Sequence, residues 1–292
     1  MASLRQIRQR MKSIHNIHEI TKAMGMIASF RFKRSENRFT RSRNYFLEME
    51  KLVGNLSAAA QDIQDPLFEK RKTKKKALVV MTGDKGLCGA YNTNLLKETN
   101  LWIKANASFE TSVVPVGKIG ADFFKKKHIP ILTAYPEKAM ADLSLAKKVT
   151  HDLKESFLKG AVDSVELLYT TYRSGTAGRN VIVPYLGLSY LVDPAPQSNI
   201  LTSLRGGVDY LYEPDFNTVF LSLLSGYLEG KIYMTLLESL TSESSARMFA
   251  MKQATDNAED VLDNLKLLRN KTRQATITRE LSEIVGGAAV LV

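Results

Sequence analysis

The sequence predicts an α/β domain inserted between two long terminal helices that pair antiparallel as a coiled coil. Three observations carry this prediction. Residues 1–62 contain no proline, and their only glycines are Gly25 and Gly54. Residues 215–285 also lack proline. Between these blocks, short apolar runs alternate with helical patterns, which implies a largely parallel sheet with helices on its faces.

In the first block Leu4, Ile7, Met11, Ile14, Ile17, Ile20, Met24 and Ile27 recur at helical steps, and Phe39, Phe46, Met49, Val53 and Leu56 continue the stripe. Ser3 is placed to cap the helix. At about 1.5 Å per residue the block is about 87 Å long, far more than a small domain spans. In the second block Pro214 suits a helix start, where its missing N–H costs nothing. Phe216, Val219, Phe220, Leu223, Leu224, Tyr227 and Leu228 begin the stripe. Ala250, Ala254, Asn257, Val261, Leu265, Leu268, Thr272 and Ala275 continue it. Gly226 and Gly230 weaken this helix locally and mark where it can bend. Two such helices at opposite ends of one chain bury their stripes by pairing. Small residues in the second stripe allow close approach but bury little area each, at about 25 cal/mol per Å².

The insert begins after a charged linker at residues 70–76. Strands are expected at 77–82, 111–116, 129–134 and 164–172, and helices at 92–105, 118–127 and 139–158. Asn92 is a candidate cap. Residues 181–192 add an edge strand interrupted by Pro184, and 193–198 read as a linker. The domains are therefore 1–65, an N-terminal coiled-coil helix; 66–198, an inserted Rossmann-like, largely parallel α/β domain; and 199–292, a C-terminal coiled-coil helix with an apolar tail.

Composition narrows the function. The 292 residues are 44% apolar and 24% charged, which excludes disorder as a description of the whole chain. Cys88 is the sole cysteine, so no disulfide framework exists. Four histidines without close cysteine spacing argue against structural zinc. No apolar run reaches the roughly 18 residues of a membrane-spanning helix. The N-terminus lacks the apolar core of a secretory signal, and its helical pattern outruns a transit peptide. The net charge of +11 sits wholly in residues 1–76, with 18 Lys/Arg against 7 Asp/Glu. Such a segment expects an acidic partner: nucleic acid, anionic lipid or an acidic protein surface. A solvated helix face without compensating acids is the plainer alternative.

Catalytic templates are absent. Gly83, Gly86 and Gly89 lie between a strand and a helix, where phosphate loops occur. Their spacing fits neither GxGxxG nor GxxxxGK followed by Ser or Thr, so a packing turn is the better reading. Cys88 reads as a small buried residue, and His15 and His18 as solvated helix histidines rather than metal ligands. Arg31, Lys33, Arg34, Arg38, Arg41 and Arg43 interleave with Phe30, Phe32 and Phe39. This superficially suggests single-strand nucleic-acid binding; the alternative places these aromatics on the helix-pairing face. Residues 286–292 carry no charged side chain and end apolar, as if entering a sleeve supplied by another protein. Docking on the chain's own core is the alternative.

Three stretches carry a family resemblance: SIHNIHEITKAMGMIAS in the first helix, GDKGLCGAYN at 83–92, and ESSARMFAMKQATDNAEDVLDNLKLLRNKTRQATITRELSEIVGGAA at 243–289. Together they resemble the gamma subunits of F-type ATP synthases along the whole chain. The resemblance implies a central-stalk rotor subunit that couples rotation of a membrane c-ring to ATP synthesis or hydrolysis. Its implied partners are three alpha and three beta subunits, an epsilon subunit and the c-ring, with no nucleic acid and with membrane association through partners only. Catalysis and nucleotide would belong to the partners, so no cofactor, metal or catalytic residue is expected here. Met24, Arg31, Lys33, Arg34, Arg273, Gln274 and Thr278 match positions that contact the beta subunit, and Val290, Leu291 and Val292 form an apolar bearing. Arg31 stands where the family commonly has lysine. The cysteine pair of chloroplast members has no counterpart, so thiol switching is not expected. The implied location is peripheral, on the cytoplasmic face of a bacterial inner membrane. The competing readings are a nucleotide-dependent α/β enzyme with helical arms and a nucleic-acid-binding coiled coil.

Overall fold

The computed structural model describes residues 3–59, 65–69, 71–137, 142–173, 178–188 and 213–290. The elements in chain order are α1 (Leu4–Ala59), β1 (Lys75–Met81), α2 (Tyr91–Ala105), β2 (Glu110–Val116), α3 (Lys118–Lys126), α4 (Leu143–Leu158), β3 (Ser164–Thr170), β4 (Asn180–Leu186) and α5 (Phe216–Val290). The chain divides into two compact units. One holds the residues up to Ser29 and those from Arg247 onward; the other holds Phe30–Ala246.

The first unit is an antiparallel helix pair. Ser3 caps α1 in a reciprocal box: Gln6 N–H donates to Ser3 Oγ at 3.3 Å, and Ser3 N–H donates to Gln6 Oε1 at 2.9 Å. The hydroxyls of Thr21 and Thr255 are hydrogen-bonded at 2.9 Å, and a Cβ on Gly25 would sit 3.5 Å from Met251 Cβ. Rising numbers on α1 thus meet falling numbers on α5. The covered positions on α1 are Leu4, Ile7, Met11, Ile14, His18, Thr21, Met24, Gly25 and Ala28. Along α5 from Met251 to Thr276 they are Met251, Ala254, Thr255, Ala258, Leu262, Leu265, Arg269, Thr272 and Thr276. Met24 and Ala254 aside, both sets keep alternating steps of three and four, the 3.5-residue repeat of a coiled-coil seam.

This corrects the expected stripes. Ile17, Ile20 and Ile27 are exposed, and His18, Thr21 and Ala28 take the seam instead. On α5 Ala250, Ala254, Leu265 and Thr272 are covered as expected, whereas Asn257, Val261, Leu268 and Ala275 face outward and the next residues, Ala258, Leu262, Arg269 and Thr276, take their places. Apolar side chains on more than one face leave a hydropathy pattern ambiguous, whereas helix pairing accepts only the set that holds a 3.5-residue repeat.

The second unit is built on a four-stranded sheet ordered β2-β1-β3-β4. β1 runs parallel to both β2 and β3, and β4 closes one side antiparallel to β3. Pro184 lies opposite Glu166 in that outer strand, and the register shifts between Val165 and Glu166. β1 is buried on both faces, as a central parallel strand should be. Ala77, Val79 and Met81 face a core shared with α4 (Val149, Leu153, Phe157) and α5 (Leu228, Ile232, Leu236, Leu237). Leu78 and Val80 face the opposite core with Leu95, Trp102 and Phe124 of α2 and α3.

Several local expectations change. Residues 129–134 form only an isolated bridge, Val113 with Ile131, because Pro130 withholds an N–H that a ladder needs; Tyr135 adds a second bridge with Val116. α4 starts at Leu143 with Asp142 as its cap, Leu145 N–H donating to Asp142 Oδ1 at 2.9 Å; residues 138–141 lie outside the described set. Pro214 precedes the α5 cap rather than opening the helix. The cap is Asp215, which accepts from Thr218 N–H at 2.9 Å. Gly226 and Gly230 lie inside continuous helix. They make room for α1: a Cβ on Gly230 would meet the Phe46 ring at 3.2 Å, and Phe46 stacks on Tyr227 with centroids 5.7 Å apart. The linker expected at 193–198 lies outside the described residues.

Candidate functional site

Two surfaces are candidates, one in each unit. In the helix pair the seam mixes large apolar side chains such as Ile7, Ile14, Met251 and Leu265 with threonine, alanine and His18, and further large apolar side chains stay outside it. Ile20 is 58% exposed and Ile27 56% on α1; Leu267 is 69% and Ile284 67% on α5. Phe249, Ile277, Leu281 and Val285 join them. Scattered surface leucines need no explanation, but large apolar side chains exposed repeatedly along both helices make this strip a candidate partner surface.

The second surface is internal. Residues 234–237, 239 and 241–244 of α5 are all buried, so the helix is enclosed around its whole circumference there. The GDKGLCGAYN stretch meets it. Tyr91 Oη lies 2.6 Å from Ser239 Oγ and 3.2 Å from Met81 O, and Ser239 Oγ donates to the same carbonyl at 3.2 Å. Burial pushes the Tyr91 phenol well above its ordinary range, with nearby Glu243 adding to it. Gly83 N–H donates to Asn92 Oδ1 at 2.8 Å, and Asn92 Nδ2 lies 3.1 Å from Cys88 Sγ. Asn92 therefore ties the loop down instead of capping α2, whose cap is Ala90. A Cβ at Gly83 would fall 2.8 Å from Glu243 Oε1. Gly117, at φ +111°, sits where a Cβ would come within 2.3 Å of Thr82 O, and Gly120 N–H donates to Thr82 Oγ1 at 3.0 Å. These glycines let strand ends, helix starts and α5 pack closely. The Gly83 amide is turned onto a side chain, so the loop is a packing device. Cys88 is buried within it.

Comparison with known proteins agrees with this architecture. The family profile described as ATP synthase matches residues 3–291. The ATP synthase gamma chain of Protochlamydia amoebophila is 35% identical over 289 residues, covering 99% of each chain. That of Heliobacterium modesticaldum is 36% identical over 294 residues and covers both chains completely. This chain belongs to the ATP synthase gamma-chain family. Among solved structures, a rotor chain of the Euglena gracilis mitochondrial ATP synthase has a TM-score of 0.67 at 19% identity, covering 94% of this chain and 98% of that one. A chain of the same organism's OSCP/F1/c-ring assembly has a TM-score of 0.70 at 20% identity, covering 99% and 94%. At these identities the likeness concerns the fold.

The residues singled out by family resemblance are dispersed. Met24 is half-buried beside Gly25, at the level of Met251. Arg273, Gln274 and Thr278 are exposed on α5, roughly 33 Å further along it at about 1.5 Å per residue. Arg31, Lys33 and Arg34 are exposed on α1 within the second unit. Lys33 pairs with Glu36 at 3.0 Å, and Glu36 also accepts from Tyr172 Oη at 2.7 Å. The Tyr172 bond first, and Lys33 second, hold that carboxyl below the usual range. Phe32 and Phe39 pack edge-on against Tyr172, with centroids at 5.7 and 6.1 Å. Phe30 does not share that face and is 78% exposed. Of the apolar tail, Val290 ends α5, while its side chain, Leu291 and Val292 lie outside the described residues. His15 is exposed as expected of a solvated helix histidine, but His18 is half-buried in the helix seam, 3.1 Å from Glu19. Among the described residues no group of His, Cys, Asp and Glu is gathered for a metal ion, and no helix is long and apolar enough to cross a membrane.

Motif reading missed Tyr91, Ser239 and Glu243 as working residues. The signal was present: Ser239, Thr241, Ser242, Glu243 and Ser244 form a small polar run inside a long apolar helix. Such a run needs buried partners.

Proposed function

We propose that this chain is the rotor subunit in the central stalk of a proton-translocating F-type ATP synthase. It couples rotation of a c-ring to ATP synthesis or hydrolysis on a ring of three alpha and three beta subunits, and also binds an epsilon subunit. It is non-catalytic; bond-making belongs to the alpha and beta subunits. The complex is membrane-associated, and this subunit lies peripherally on the cytoplasmic face of a bacterial inner membrane. The three-part division at 1–65, 66–198 and 199–292 serves as shaft strand, foot and second shaft strand.

The observation that carries this reading is the exposed apolar strip on the helix pair, supported by full-length relatedness to ATP synthase gamma chains. A shaft that presents Ile20, Ile27, Leu267 and Ile284 outward contacts a surrounding sleeve as well as its own paired helix, and the exposed Arg31, Lys33, Arg34, Arg273, Gln274 and Thr278 add polar contacts. Met24 steadies the seam behind that surface, and Val290, Leu291 and Val292 end it as an apolar bearing. Exposed ion pairs are worth about 0–1 kcal/mol each. They break and re-form at every step, so no single angle traps the shaft.

Purification of the tagged chain with its native partners tests the reading. Two larger ATP-binding subunits in threefold excess over this chain are expected, and recovery of the chain alone would refute it. Within that complex, Arg273→Ala with Gln274→Ala is expected to lower gradient-driven ATP synthesis severalfold while leaving assembly intact. Unchanged synthesis would remove those two residues from the gripping role.

A further inference from the structure

We infer that the bridge joining Tyr91, Ser239 and Met81, together with the Gly83–Glu243 contact, is the torsional joint by which the α/β domain holds α5. This rests on the rotor reading and assigns positioning residues within it. The argument is mechanical. A helix packed along one stripe resists turning about its axis only through that stripe. Around residues 234–244, α5 is enclosed on every side. Leu236 and Leu237 enter the core beneath β1, and Ala246 packs with the opposite core.

Apolar contacts resist separation, but they are non-directional and slide. Hydrogen bonds fix angle, because they weaken steeply when misaligned. The directional contacts on this stretch gather where β1 ends. Met81 O accepts from Ser239 Oγ at 3.2 Å, and the Tyr91 hydroxyl closes the triangle at 2.6 Å from Ser239 Oγ. One turn further along α5, the buried Glu243 carboxylate fills the space left by the missing side chain of Gly83. Just past the end of the neighbouring parallel strand β3, Glu238 accepts from Tyr172 N–H at 2.9 Å. Rotating α5 within this collar would misalign the bridge and drive Glu243 into the loop. The stretch GDKGLCGAYN and the polar run 239–244 thus have a shared purpose that neither phosphate binding nor catalysis supplies.

The test uses the assembled complex, with the alpha/beta ring immobilised and a bead fixed to the α/β domain. Tyr91→Phe removes one hydroxyl and keeps the ring. Ser239→Ala removes the bridge from the other side. Each is expected to raise the angular variance of the stalled bead by about twofold, and the double variant to add little more, as for residues of one network. Assembly yield and hydrolysis by the immobilised complex should stay near wild type, which a merely structural role would not predict. Unchanged variance in both single variants, with the wild-type bead rotating, overturns the joint. A wild-type bead that does not rotate during hydrolysis overturns the rotor reading instead. Should Tyr91→Phe fail to assemble, Ser239→Ala is read by the same criterion.

Discussion

The same helix lives in two different environments. Within the α/β unit, α5 is buried around its whole circumference between residues 234 and 244. In the helix-pair unit, beyond Thr255, only one position in three or four is covered up to Thr276, and Phe249, Leu267 and Leu281 stand in solvent. Local propensity is similar in both stretches. What differs is whether the neighbours belong to this chain. Burial by the chain's own residues makes a position answerable for stability. Exposure of an apolar side chain makes it answerable to another molecule.

That contrast can be broken by substitution. Leu237 is fully buried, and Leu237→Ala should destabilise the full chain by about 2–5 kcal/mol, the range for large-to-small core changes. Urea unfolding measures it, and a loss below about 1 kcal/mol would mean that the collar is loose.

A smaller effect is expected at Lys231, which lies 3.2 Å from Tyr227 Oη. Burial pulls its ammonium down to about 8, partly opposed by Glu50. Between that value and the unfolded value near 10.5, the unfolded chain holds the additional proton, so stability should climb with pH across this window. Lys231→Met should flatten the climb in thermal melts recorded from pH 7.5 to about 10. A parallel climb in the variant would assign the effect to another group.

The smallest stability effect belongs to the helix pair. Ile20→Ser with Ile27→Ser should shift unfolding by no more than about 0.5 kcal/mol per site, as surface changes do. It should nevertheless weaken capture of the partner ring in pull-down at equal concentration. A large loss of stability with normal capture would reverse the comparison.

Much of the architecture was legible in residue order. Proline-free blocks marked both long helices, and β1, β2 and β3 stood out as buried apolar runs. The seams were harder. Hydropathy treats every isoleucine as a core candidate, and in α1 the isoleucines at 17, 20 and 27 lie outside while Thr21 and Ala28 lie inside. Only the geometric demand of a 3.5-residue repeat separates the two sets. The expected strand at 129–134 is reduced to an isolated bridge at Ile131, because Pro130 carries no N–H for a ladder. Asn92 looked like a cap from its place before a helix, yet its side chain serves Gly83, a tertiary partner that spacing does not reveal. Basic residues were recognisable as surface residues. The hydroxyl bridge at Ser239 was not, because serine in a helix is usually read as a weak helix former rather than as a fastener.

The display of isoleucine and leucine on the helix pair carries a cost before assembly. A newly made copy offers other copies the same greasy strip that its sleeve would cover, which invites clumping. The surplus of lysine and arginine in the first quarter of the chain opposes this, because like-charged molecules keep one another at a distance. Free subunit should therefore stay dispersed at low ionic strength and precipitate as salt screens that repulsion. Cells that make it in excess of its companions would need to remove or shelter the surplus.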